Sequence, residues 1–230
     1  MAALFFNACT GILSGSNKSG ELLEPSRAIP KGTLAAIFTS TCIYAVFIIL
    51  YGSVGNHKIL TETHKHIVSA ELSWPWPVLV QIGIIVSSSG AALQSMAGAP
   101  RIIQAIVDDD LLPKRLNFLK SRDKKNPIQL PILFTSCFVS LAILSGSLNA
   151  VAPLVSIFFL LTYAGVNVSC YLQDYLGSPN WRPKFKYSHP LLSFSGTCIC
   201  IVLMVTNSIL VSLLSLFGAF LLYKYLEDRS

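Results

Sequence analysis

Phe5-Phe6-Asn7-Ala8-Cys9-Thr10-Gly11-Ile12-Leu13-Ser14-Gly15-Ser16-Asn17-Lys18-Ser19-Gly20 is the stretch that decides how the chain is read. It starts like a membrane-spanning helix, which needs about 20 mostly apolar residues. Glycine and hydroxyl residues take over at Thr10 long before that length is reached, and the chain then resumes as a polar, capped helix. A helix can break at membrane depth only where the freed amides and carbonyls are buried in protein or line a wet cavity. Such groups, backed by the dipoles of two half-helices, can replace the water shell of a small ion. Residues 7 to 15 are therefore expected to line an ion path.

The composition sets the medium. Of 230 residues, 53% are hydrophobic and 12% charged, whereas soluble domains carry about 25% charge. This is the composition of a multi-pass membrane protein. No basic region precedes the short apolar start Ala2 to Phe6, so a secretory signal peptide is not expected. The first residues read as a helix already under way, and the chain is expected to be part of a longer one. Cys9, Cys42, Cys137, Cys170, Cys198 and Cys200 all lie in apolar segments without metal-site or disulfide-framework spacing, and read as small membrane-buried hydrophobes.

Seven spans are expected in a single transmembrane domain over residues 1–230: 3–27, broken at 10–16, then 32–52, 76–99, 128–145, 150–172, 190–206 and 208–223. Alternating the sides of the membrane checks this division. Lys18, Arg27, Lys31, Arg101, Lys114, Arg115, Lys120, Arg122, Lys124, Lys125, Arg182, Lys184, Lys186, Lys224 and Arg229 fall on one side, and only Lys58 and Lys65 on the other. Positive residues stay in the cytosol, which predicts that loops 15–31, 101–127 and 173–188 and the carboxyl terminus are cytosolic. The same asymmetry accounts for the net charge of +6 without a nucleic-acid partner.

Within the spans the polar residues are neutral. Proton pumps place an ionisable group at mid-membrane, and none is placed there with confidence here, so hydroxyl, amide and glycine chemistry remains. Ser87-Ser88-Ser89-Gly90-Ala91-Ala92 fits an ion held by dipoles and equally fits close helix packing. Tyr163 sits mid-span, and its hydroxyl needs a partner, an anion or a neighbouring carbonyl. Asn167-Val168-Ser169 matches a glycosylation sequon inside a span, where no glycan is expected, and Asn17-Lys18-Ser19 falls on the cytosolic side. His57, His64 and His66 share a loop that reads as solvated more readily than as a zinc site, and Asp108-Asp109-Asp110 reads as a solvated helix end. Arg182, Lys184 and Lys186 can touch anionic lipid. No GxSxG, P-loop, HExxH or carboxylate pair in a cleft is present, and no enzyme is expected.

Several longer motifs carry a family resemblance. Thr10-Gly11-Ile12-Leu13-Ser14-Gly15-Ser16-Asn17-Lys18-Ser19-Gly20-Glu21-Leu22, continued by Pro25-Ser26-Arg27-Ala28-Ile29-Pro30-Lys31-Gly32-Thr33, resembles the sixth-helix signature of cation–chloride cotransporters (solute carrier family 12). Gly90 to Arg101, with Gln104-Ala105-Ile106, Asp109-Asp110 and Leu112-Pro113, resembles the eighth helix of that family, and Ser178-Pro179-Asn180-Trp181-Arg182-Pro183 the loop after the tenth. The resemblance implies an all-α membrane protein with a partial LeuT-like (amino acid–polyamine–organocation) helix bundle. This chain would match the sixth to twelfth helices of a twelve-helix unit. It further implies that Asn7 and Thr10 stand at the cation positions, where the family uses a proline carbonyl and a threonine hydroxyl. The chloride positions would be the amides of Gly11, Ile12 and Leu13 and the hydroxyl of Tyr163. Gly90 and Ala91 match the serine pair of sodium-coupled members and lack its hydroxyls, which disfavours sodium coupling.

The function implied is secondary active, electroneutral symport of potassium with chloride, as part of a longer chain. Asn7 in place of the proline resembles the branch known as cotransporter-interacting proteins, so a non-transporting regulatory partner is the alternative. A carrier of amino acids or polyamines on the same fold is the second. The helices that supply other ligands in the family have no counterpart in residues 1–230, so the chain is expected to hold part of a site. The partners implied are the lipid bilayer, inorganic ions and a homodimer or heterodimer with related cotransporters. No cofactor is implied beyond the transported potassium and chloride.

Overall fold

The computed structural model describes residues 6, 10–54, 68–71, 73, 75–111, 119, 129–144, 148–177, 179, 181–183, 185 and 187–227. Among the described residues every regular element is helical. Two 3-10 turns, Ile12–Ser14 and Ser16–Glu21, precede α1 (Pro25–Val54). A single helical turn at Val68–Glu71 leads to α2 (Pro77–Asp108), followed by α3 (Gln129–Leu144), α4 (Leu148–Tyr175), α5 (Pro190–Asn207) and α6 (Ile209–Glu227). Five of the described helices are long and apolar enough to cross a membrane, and α3 is a shorter apolar helix of 16 residues. The protein is an all-α membrane protein.

The segment after the break differs from the polar capped helix expected of it. Residues 16–21 form a 3-10 turn whose N-cap, Gly15, makes no side-chain cap bond. Leu22 then turns extended (φ −96°, ψ 138°), and α1 begins at Pro25, ahead of residue 32 where the sequence places the next span. Proline suits a helix start, because its φ is already helical and it has no amide to leave unpaired. The carbonyl of Glu24 accepts from the amides of both Arg27 and Ala28, which starts the helix on the polar side of the apolar stretch.

The chain divides into two compact units. One takes the described residues within Ser14–Ala105 and Leu119–Thr135. In it the turn Ser16–Glu21 lies against α1, and the Tyr51 hydroxyl donates to Ser69 Oγ at 2.7 Å. Large apolar side chains along α1 and α2, among them Phe38, Ile49, Leu79 and Ile85, are exposed. Such surface is stable only in hydrocarbon or against other protein.

The second unit takes the described residues within Met1–Leu13, Ile106–Phe118 and Ser136–Ser230. Here α4 packs along α5, and α6 touches both. On α4, Ser156, Ile157, Leu160 and Ala164 are buried, with Asn167 and Tyr171 partly so, a spacing of three and four residues that marks one helix face. Ser193, Gly196, Thr197, Cys200 and Met204 mark the facing stripe of α5. Membrane helices pair through small residues because there is no hydrophobic gain in leaving lipid, and close backbone approach supplies the attraction instead. Gly196 shows the effect, since a Cβ there would lie 3.0 Å from Asn167 Nδ2 and 3.2 Å from its Cγ. Ile157, Leu160 and Met204 form the apolar centre, against which Phe6, Leu161, Cys200, Leu203, Val211 and Leu216 pack.

The joint between α5 and α6 is built by side chains. His189, extended, caps α5 by accepting from the Leu191 amide, and Pro190 takes the first helical position. At the other end Ser208 is extended, so α5 stops there and its last carbonyls lose their helical donors. The buried Ser212 hydroxyl lies 2.6 Å from the carbonyl oxygens of Met204 and Ser208, and the Ser208 amide also donates to Met204. The Ser208 amide thus makes the last helical bond of α5, and the Ser212 hydroxyl adds a second donor to the same Met204 carbonyl.

Gly196→Val is expected to destabilise the protein by about 1–3 kcal/mol, the usual cost of overpacking, read as a lower Tm of the purified full-length protein. Gly165→Ala, on the same helix pair but with nothing within 4 Å of its Cβ position, is expected to leave Tm unchanged.

Candidate functional site

Thr10 and Gly11 lie outside any helix, and Ile12–Ser14 then makes one tight 3-10 turn. Gly11 has φ +99°, a region that side chains with a Cβ rarely adopt, although a Cβ there would meet nothing within 4 Å. The glycine is thus required by backbone conformation and not by space. The Gly11 amide donates to Tyr163 Oη at 3.2 Å, across 152 residues of sequence. Tyr163 belongs to α4, so one hydrogen bond ties the break to the best-packed helix of its unit.

Two aromatic rings fix the tyrosine. Phe6 meets it edge-on, with centroids 6.2 Å apart and planes at 65°, and Phe159 lies tilted at 6.1 Å. Such pairs are worth about 0.5–1.5 kcal/mol beyond the area they bury. Because the Tyr163 oxygen accepts from Gly11, its own proton remains to be donated elsewhere. The result is a backbone amide bonded to a phenol that keeps its own proton to donate, beside the turn that carries the amides of Ile12 and Leu13. Donors without charge and without an adjacent carboxylate suit an anion.

Of the residues singled out on sequence, the structure brings Gly11 and Tyr163 into contact and places Thr10, Ile12 and Leu13 beside them in chain order. Thr10 and Leu13 are half-buried and Ile12 is exposed. Asn7 lies outside the described residues. Gly90 and Ala91 are exposed positions on α2, in the other unit. Around them Ser88 Oγ donates to the Ile85 carbonyl and Ser95 Oγ to that of Ala91, so both hydroxyls are turned onto their own helix. His57, His64 and His66 also lie outside the described residues, and no cluster able to hold a metal ion occurs among the described ones.

Two features were not readable beforehand. One is the donor to the Tyr163 oxygen, the backbone amide of Gly11. The bracketing by Phe6 has no local signal, whereas Phe159 stands four residues before Tyr163 on one helix face and could have been inferred from that spacing.

The amino acid permease family matches the chain over residues 1–229. A protein of Arabidopsis thaliana named cation-chloride cotransporter 1 is 43% identical over 226 residues, covering 98% of this chain and 23% of that protein. Two proteins of Oryza sativa subsp. japonica, named cation-chloride cotransporter 1 and cation-chloride cotransporter 2, are each 41% identical over 228 residues, covering 99% of this chain and 22% of theirs. The chain therefore spans less than a quarter of the length of these relatives.

Gly11→Ala is expected to cost about 1–3 kcal/mol of backbone strain, and Tyr163→Phe about 1 kcal/mol for the lost acceptor. Hydrogen–deuterium exchange of the peptide containing residues 10–14 checks both. Exchange faster than wild type is expected in each variant, with the effect of Tyr163→Phe centred on the Gly11 amide.

Proposed function

This chain belongs to the amino acid permease family, and from that premise we propose that it carries part of the ion site of a cation–chloride symporter, with potassium as the cation. The observation that carries the reading is the Gly11 amide held 3.2 Å from the Tyr163 hydroxyl at a non-helical break. Both groups stand at positions that the family resemblance assigns to chloride, and both are neutral donors. Thr10, next in the chain, offers its hydroxyl oxygen and carbonyl to the cation, and Asn7 offers its carbonyl. The amides of Ile12 and Leu13 complete the anion side. Similarity to three proteins named cation-chloride cotransporters supports the ion class.

The residues assigned to the site offer backbone groups and hydroxyls, with no carboxylate or amine among them. Ions are held by dipoles that cost little to reorganise, and transport is driven by the ion gradients, with alternating access about the break. Gly90 and Ala91 bring no hydroxyl to the sodium positions, which supports coupling without sodium. The basic residues place loops 15–31, 101–127 and 173–188 and the carboxyl terminus in the cytosol.

Asn7 favours a second reading, a regulatory partner that pairs with active cotransporters and moves no ions itself. An organic substrate such as an amino acid or polyamine is the third reading, compatible with the family match. Chloride-dependent rubidium uptake by the full-length protein separates them. Under the leading reading uptake is measurable, and Tyr163→Phe raises the chloride KM about tenfold, the worth of a hydrogen bond to a charged group. Thr10→Ala does the same for rubidium. Uptake indifferent to both substitutions removes the site assignment. Absence of uptake together with co-purification of a cotransporter supports the regulatory reading, and inhibition by amino acids or polyamines supports the organic one.

A further inference from the structure

We propose that the segment joining α4 to α5 is a docking surface for the acidic headgroups of membrane lipids, with Arg182 as the described cation and Tyr175, Phe185 and Tyr187 as its aromatic collar. The described residues of the segment make specific contacts. α4 ends at Tyr175, the Leu176 amide bonds back to the Leu172 carbonyl, and Gly177 reverses the chain with φ +57°. The Trp181 indole N–H then donates to the Asp174 carboxylate, which draws the segment back onto the last turn of α4. Phe185 and Tyr187 meet edge to face at 5.7 Å, and the Ser188 amide closes a turn onto the Phe185 carbonyl.

This folding points the side chains outward. Tyr175 is 75% exposed, Tyr187 68% and Phe185 44%, and Arg182 is exposed beside them. In sequence, Lys184 and Lys186 flank Phe185, and Asp174 is the sole acid between Gln173 and His189. That acid is half-buried and taken by Trp181, so the segment presents net positive charge. Positive-inside bias explains the bases but not a collar of exposed aromatics. Where two apolar helices end together, the surrounding level is that of the headgroups, which favour amphipathic rings. Lys and Arg at that level are attracted to anionic lipid.

At the start of α5 the first amides are already engaged. Pro190 has no amide hydrogen, Leu191 donates to His189 Nδ1, and Leu192 and Ser193 donate to the His189 carbonyl. Recognition therefore falls to the side chains, and charge decides it. The ligand is a lipid of the phosphatidylserine or phosphoinositide type. The inference rests on the orientation proposed above, which turns this loop to the cytosolic leaflet, where such lipids are concentrated.

The test uses purified full-length protein, with retained lipid counted by native mass spectrometry after exposure to phosphatidylserine or phosphatidylcholine. Wild type is expected to retain phosphatidylserine preferentially. In Arg182→Gln/Lys184→Gln/Lys186→Gln that preference should fall roughly fivefold for each charge removed, with phosphatidylcholine unchanged, and Arg182→Lys should keep it. Glycerophosphoserine, the headgroup without chains, is expected to compete poorly, because the aromatic collar needs a bilayer. Equal phosphatidylserine retention by wild type and the glutamine variant overturns the proposal, as does a wild type without preference. A variant that keeps its lipid but loses a co-purifying protein overturns it in favour of a protein partner. Tyr187→Cys labelled in intact cells by an impermeant maleimide tests the orientation alone, since the lipid assay does not depend on sidedness.

Discussion

The hydrogen bond from the Gly11 amide to the Tyr163 hydroxyl is the constraint on which the site depends. A backbone that leaves the helix in a bilayer has amides with no water to turn to, and each must find a protein partner or a bound ligand. Gly11 adopts a positive φ, and α4 supplies an acceptor for its amide. The acceptor's position is set in turn by the packing of α4 on α5, through Ile157, Leu160 and Met204 and the close approach at Gly196. A loop-like segment thereby inherits the rigidity of a helix pair. Its geometry is as firm as that pair and no firmer.

The same constraint separates structural hydroxyls from functional ones. Ser40 and Thr41 on α1, Ser88 and Ser95 on α2, Thr162 on α4 and Thr197 on α5 all donate to carbonyls three or four residues earlier in their own helices. A helical serine or threonine can satisfy itself in this way and asks nothing of its surroundings. Thr10 stands outside any helix, at the break itself. The serine-rich run on α2 is accordingly less informative than its composition implies, while one threonine at a break carries more. Ser212 shows the intermediate case, a helical hydroxyl that reaches both the Ser208 carbonyl one turn back and the Met204 carbonyl of the neighbouring helix.

How much of this was legible in the sequence follows from the range of the interactions. The break at Thr10 was legible because glycine and hydroxyl residues interrupt an apolar run, a purely local signal. That Tyr163 needs a partner was also legible, since an apolar span gives a phenol nothing to bond. The partner's identity was not, because Gly11 lies 152 residues away and no local rule spans that distance. The family resemblance placed both residues at one site without foretelling that they touch. Gly196 reads on sequence as one small residue among several, and only the facing Asn167 makes it a contact. The start of α1 at Pro25 was missed because basic and polar residues between 25 and 31 suggest a loop, whereas Pro25 and the Glu24 carbonyl begin a helix there.

The neutrality of the site bears on the proposed coupling. Consecutive residues stand about 3.8 Å apart along the chain, so a cation held at Thr10 and an anion held by the amides that follow it would lie on the order of 6 Å from each other. At an effective dielectric near 20, opposite charges at that distance attract by roughly 3 kcal/mol, about a hundredfold in affinity. A fixed carboxylate or lysine at the same place would bind one ion well and repel or replace the other. With only dipoles present, each ion supplies the countercharge that the other lacks, and neither binds well alone. Under the proposed function, the absence of charge at the break favours binding the two ions together, and its glycine and hydroxyl composition displays that property first.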